Sequence, residues 1–188
     1  FVTRHIKEHM PEAFDFDIPS VCAIAPGVLG VTGVETMDIV FGVANKVKPD
    51  LIIAVDALAS RRAARISTTI QLSDSGISPG SGVGNTRADL SRANLGVPVI
   101  AVGVPLVVYA STISQDTISL IADETGLHGD EERLRELAEQ VIAKHMGDFI
   151  VTPKDIDVIV EDMAGIIANA INSALFGNNL EQVRNMLA

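Results

Sequence analysis

Two stretches of this chain, residues 51–55 (LIIAV) and 97–104 (VPVIAVGV), are apolar at nearly every position. A strand with one wet face alternates apolar and polar residues. These do not alternate, so they read as strands covered on both faces, the pattern of parallel sheets in α/β proteins. Residues 21–25 (VCAIA) and 68–72 (TTIQL) read as two further strands. Aromatic residues make up 4% of the chain and Trp is absent, so the core must be built from Val, Ile, Leu and Ala. With 188 residues, 47% of them hydrophobic, the chain can bury one sizeable core. The reading is a single α/β domain over residues 1–188, with parallel strands under helices.

Helical signals fall between the apolar runs. Residues 35–47 carry a broad apolar face from Met37, Ile39, Val40, Phe41 and Val43. Thr32 or Gly33 caps the start and Pro49 marks the end. With strands on either side, this segment predicts a right-handed βαβ unit. Residues 111–124 and 129–146 read as helices, the second with acids at its start and Lys144 and His145 at its end. A last long helix is expected from Thr152 as N-cap and Pro153 in the first turn to Gly177 and Asn178. Residues 73–85 (SDSGISPGSGVGN) must form a loop, and residues 126–130 a surface excursion. Phe1 opens inside a helix-like stretch, so the chain reads as trimmed, with an N-terminal portion missing ahead of it.

Several function classes are disfavoured. The net charge of −10 argues against a surface for duplex nucleic acid, which needs Lys and Arg to neutralise phosphates. No uninterrupted apolar run reaches the ~18 residues that span a bilayer, and no signal peptide is visible. Cys22, the one cysteine, can form no disulfide within the chain; it is expected as a small buried hydrophobe, consistent with a reducing cytoplasm.

The motifs point to carboxylate chemistry. Asp56 ends the run LIIAVD, and ligands of open α/β sheets bind beyond the carboxyl ends of strands. It fits either a catalytic carboxylate or the N-cap of a following helix. Gly27, Gly30 and Gly33 lack the spacing of the dinucleotide fingerprint, so no nucleotide cofactor is expected. They fit a backbone that turns tightly and approaches a substrate. Glu35 fits a catalytic role less well than stabilisation of a helix start. Gly80, Gly82, Gly84 and Asn85 fit either a peptide-binding platform or a surface loop. Asp74 is a second carboxylate that can support Asp56, since neighbouring carboxyls split their pKa values. His5 and His9 match H-x-x-E-H on one helix face, which raises a zinc peptidase as an alternative, although no third ligand is evident. His128 and His145 also lack a visible ligand partner, and no metal site is expected. No GxSxG elbow supports serine hydrolysis.

The runs APGVLGVTGVET, FGVANKVKPDLIIAVDALASR, TTIQLSDSGISPGSGVGN, LGVPVIAVGVP and VTPKDIDVIVEDMAGIIANAINSAL occur here in an order that resembles the spore germination proteases. The resemblance covers most of the chain and is weakest between about residues 119 and 146. It implies an atypical aspartic-type endopeptidase of spore-forming bacteria, made as a zymogen and working as a homo-oligomer, a tetramer, in the cytoplasm of the forespore or spore core. Its substrates would be small acid-soluble spore proteins. The implied fold is three-layered, a mostly parallel twisted sheet flanked by helices, similar to hydrogenase maturation proteases. The family's DALAAR aspartate falls on Asp56. A second carboxylate, in a VTPDALGP-like motif upstream, has no counterpart among these residues, and without it the chain fits a non-catalytic binding or oligomer-forming module. Tyr109 stands where the family often has Asp, and the stretch before the last helix is shorter here.

Overall fold

The computed structural model describes residues 1–13, 17–79, 88–126, 129–145, 147 and 149–187. Along the chain run α1 (Arg4–His9), α2 (Leu29–Thr32), α3 (Thr36–Val47), β1 (Ile52–Ser60), β2 (Gln71–Ser73), α4 (Arg92–Leu95), β3 (Val99–Tyr109), α5 (Ala110–Thr125), α6 (Glu131–His145), β4 (Ile150–Val151), α7 (Ile156–Phe176) and α8 (Leu180–Leu187). The chain divides into two compact units, Gly27–Ile156 and the pair Phe1–Pro26 with Asp157–Ala188.

The larger unit is α/β and is organised by β3. This strand pairs with β1 in parallel and with β2 and β4 antiparallel. Val99, Ala101, Val102, Val104 and Val108 are all buried, so β3 is covered on both faces, as its unbroken apolar run predicts. On one face Met37 and Val40 of α3 join Leu90, Leu95 and Val99, with Ile52, Ala54 and Ile77 around them. Beyond β3 the chain turns into α5, and the connection to α6 is short enough to set the two helices side by side. Arg135 of α6 ties them, donating to the Ser119 hydroxyl at 2.5 Å and pairing with Glu131.

The structure corrects several expectations. The sheet is mixed, with one parallel pairing in three, rather than mostly parallel. β1 is not sealed on both faces: Val55 is 53% exposed. Its one strand neighbour among the described residues is β3. Residues 21–25 form no strand, and the βαβ unit they were to open does not form. Their first backbone groups are engaged elsewhere. The Val21 carbonyl accepts the Thr3 and Arg4 N–H groups, both at 2.9 Å, which satisfies donors at the start of α1. Cys22 consequently sits exposed rather than buried. Of residues 68–72, only 71 and 72 belong to β2.

Helix boundaries also move. Gly33 is the left-handed C-cap of α2, φ 68°, and Glu35 rather than Thr32 or Gly33 precedes the first turn of α3. The last long helix starts at Ile156, not at Thr152; the Thr152 hydroxyl donates to the Leu106 carbonyl at 3.1 Å, and β4 precedes it. α7 stops at Phe176, as Gly177 predicts, but α8 follows after a 3-10 turn. By length and composition alone Ile156–Leu187 is long and apolar enough to cross a membrane, contrary to the run-based reading. Asp157, Glu161 and Asp162 lie within the segment.

In the smaller unit Ile18, Phe176 and Val183 form the core, flanked by Val21, Leu175, Leu180 and Leu187. Thr3 is fully buried; its hydroxyl donates to the Pro19 carbonyl at 2.7 Å and accepts the Val21 N–H at 3.0 Å. Thr3→Val keeps the shape and strands both partners. It is expected to cost about 1–3 kcal/mol in urea unfolding, and Thr3→Ser much less.

Candidate active site

Asp56 is the residue on which the sequence reading turns, and it lies within β1 rather than at its carboxyl end. The strand continues to Ser60, and the next helical turn, Ala63–Arg65, has Arg62 as its N-cap. The N-cap role for Asp56 is therefore not realised. Asp56 is half-buried, and its Oδ1 accepts the N–H of Ala57 at 2.9 Å. It stands opposite Gly103 of β3, which in turn stands opposite Gln71 of β2. A Cβ added at Gly103 would lie 2.3 Å from Leu58 Cδ1, so the Leu58 side chain occupies the space a larger residue would fill.

The strand period puts Asp56 on the same sheet face as Ile52 and Ala54, the face that α3 helps cover. α3 rises ~18 Å over its 12 residues before the chain returns as β1. The Glu35 side chain makes no capping bond, while its carbonyl accepts the N–H groups of Asp38 and Ile39. Asp74 does not join Asp56. It follows Ser73, which pairs at the level of Ala101 and hence Ala54, with β3 between. Two strand spacings and about three residues of rise separate them, roughly 14 Å.

The glycines serve the backbone in different ways. Gly27 (φ 75°) and Gly33 (φ 68°) hold left-handed positions, whereas Gly30 lies inside α2. Gly80, Gly82, Gly84 and Asn85 lie outside the described residues, as does His128. The base of their loop is described: Ile77 and Leu90 bridge through two backbone hydrogen bonds, 3.1 and 2.7 Å. Gly76 (φ 95°) passes so close that a Cβ would sit 2.4 Å from the Leu90 carbonyl oxygen.

His5 and His9 do share a face of α1, with ring centroids 4.2 Å apart, and His9 Nδ1 lies 3.0 Å from the His5 carbonyl oxygen. Among the described residues no group of three His, Cys, Asp or Glu is arranged to hold a metal ion. Nearby, a hydrogen bond that Arg4 Nε donates to the Glu8 carboxylate at 2.8 Å raises the pKa of the Arg4 guanidinium above its ordinary value. Arg4 is charged at physiological pH either way.

One participant escaped the sequence reading. Asp116 of α5 accepts the Ala63 N–H through Oδ2 at 2.7 Å, across 53 residues of sequence, and so holds the turn that follows β1. An aspartate inside a helix, where its propensity is poor, was the available signal.

A family model described as germination protease matches residues 1–132 and 125–186. The chain belongs to this family. Among its curated relatives, the germination protease of Clostridium acetobutylicum is 47% identical over 187 residues, 93% of this chain and 57% of the relative. That of Caldanaerobacter subterraneus is 47% identical over 199 residues, covering 99% of this chain and 61% of the relative. That of Bacillus cereus is 41% identical over 219 residues, 93% of this chain and 59% of the relative. The chain thus spans about three-fifths of the length of these germination proteases. The two matched pieces meet at residues 125–132, between α5 and α6, inside the region where the resemblance of motifs is weakest.

Gly76→Ala meets a backbone oxygen in a conformation that L-residues avoid, while Gly33→Ala meets open space at a similar φ. Urea unfolding should show a loss of about 1–2 kcal/mol for Gly33→Ala and distinctly more for Gly76→Ala.

Proposed function

We propose that this chain forms the Asp56-bearing part of a germination endopeptidase that hydrolyses small acid-soluble spore proteins in the cytoplasm of the forespore or spore core. The observation that carries the reading is Asp56 itself. In a member of the germination protease family, the aspartate of the DALASR run lies mid-strand, half-buried, opposite Gly103 of β3. Partial burial suits a carboxylate that must change protonation state without being sealed from substrate.

In this mechanism a water molecule attacks the peptide carbonyl. Asp56 takes the water's proton as general base, and a second carboxylic acid protonates the departing amine nitrogen. As the tetrahedral intermediate forms, backbone N–H groups of Gly27, Gly30 and Gly33, or of Gly80, Gly82 and Gly84, stabilise its oxyanion. Asn85 belongs to the same substrate-binding loop. Among the chain's own acids, Glu35 is the candidate for this second role, whereas Asp74 is too far from Asp56 to share a proton. The reading includes homo-oligomerisation as a tetramer and a fold akin to that of hydrogenase maturation proteases.

Asp56→Asn, made in the complete protein, tests it. Removing a general base typically costs 10²–10⁴-fold in kcat, with the melting temperature little changed. Cleavage of a purified spore protein at near wild-type rate by a well-folded variant removes Asp56 from the mechanism.

A further inference from the structure

We infer that His5 and His9 form a bidentate site for a first-row divalent cation, Zn²⁺, Ni²⁺ or Cu²⁺, on the exposed face of α1. The inference is independent of the reading of Asp56, which belongs to the other unit of the chain.

Spacing carries the first part. The two residues are four apart on a helix, so their side chains project from one face. Their ring centroids are 4.2 Å apart and the planes are inclined by 31°, so the two imidazoles already lie side by side. Both residues are exposed, which leaves the pair open to an ion from solvent. Imidazole nitrogen suits Zn²⁺, Ni²⁺ and Cu²⁺, whereas Mg²⁺ and Ca²⁺ take oxygen ligands.

The second part is a fixed tautomer. His9 Nδ1 lies 3.0 Å from the His5 carbonyl oxygen. A carbonyl can only accept, so the proton sits on Nδ1 and the lone pair on Nε2. Metal-binding histidines are oriented in this way, one nitrogen donating to a carbonyl while the other ligates.

The third part is the setting. Both basic side chains of α1 are engaged within their own unit. Arg4 Nε donates to the Glu8 carboxylate at 2.8 Å. Lys7 stands ~200° around the helix from His5. Its ammonium donates to the Ile18 carbonyl and lies 3.7 Å from Asp17. The backbone beneath the pair is tied as well. The Thr3 and Arg4 N–H groups donate to the Val21 carbonyl at 2.9 Å, and the Met10 N–H to the Ile6 carbonyl at 2.7 Å. The imidazoles are thus held in place before an ion arrives, which lowers the ordering cost of binding. In return, the ion bridges adjacent turns of a helix of six residues, a length too short to be stable by itself. With two protein nitrogens, rather than the three or four of catalytic and structural zinc sites, the remaining coordination positions go to water.

Calorimetric titration of the complete protein with Zn²⁺ tests the site. One ion should bind per chain at micromolar affinity, with Cu²⁺ binding more tightly and Mg²⁺ not at all. Bound Cu²⁺ should give an electron paramagnetic resonance spectrum coupled to two imidazole nitrogens. His5→Ala and His9→Ala should each weaken binding about tenfold or more, since losing a mere supporting hydrogen bond around a metal already costs that much. His9→Ala/Met10→His keeps the number of histidines but sets the second one about 140° around the helix from His5. It should bind no better than His9→Ala. Melting curves keep the comparison clean: without metal the variants should melt as wild type does, and added Zn²⁺ should raise the melting temperature of wild type alone. Wild-type affinity in a folded Ala variant, or in the variant with the displaced histidine, overturns the site. So does a Cu²⁺ spectrum that His5→Ala/His9→Ala leaves unchanged.

Discussion

The pairing of β3 with its neighbours is the constraint on which the larger unit depends. β3 is the strand that every other strand of the sheet contacts, and its side chains are buried through most of its length. Its parallel register with β1 sets Asp56 against Gly103, and its antiparallel register with β2 sets Gln71 against the same glycine. A shift of one residue in the β1–β3 register would turn Asp56 away from the helix-covered face, because strand side chains alternate with a period of two. The placement of the candidate catalytic carboxylate is therefore a property of the whole β1–β3 ladder.

The turn after β1 shows how the unit is tied across long sequence separations. Asp116 comes from the helix that follows β3, and Pro105, which accepts the Ser67 N–H, from β3 itself. The strand bearing Asp56 thus ends in a segment held by residues far along the chain. This links the position of Asp56, the exposure of Arg61, Arg62 and Arg65, and the packing of α5 in one arrangement. The glycine loop has a comparable base, where Gly76 passes close to Leu90 and Ile77 bridges to Leu90.

Much of the fold was legible because its signals are local. The unbroken apolar run at 97–104 identified β3, the spacing of Met37 and Val40 identified α3, and the acid-to-base polarity of residues 131–145 identified α6. Leu180, Val183 and Leu187 have helical spacing too, so α8 was readable in principle and was missed. Residues 21–25 failed for a different reason. An apolar run states a preference for burial or pairing, but a strand forms only where a partner offers its backbone, and the groups of Val21 are taken by Thr3 and Arg4.

The residues alone determined an α/β unit built on Val- and Ile-rich strands, the family to which the chain belongs, and Asp56 as the acid to examine first. Only the tertiary structure decided that β2 and β4 run antiparallel to β3, that Asp56 sits inside a strand with Asp74 well removed, and that Asp116 supports the arginine-bearing turn. Strand direction and cross-chain hydrogen bonds join residues dozens of positions apart. Local patterns of hydropathy and charge carry no information about which of several distant partners a backbone group will meet.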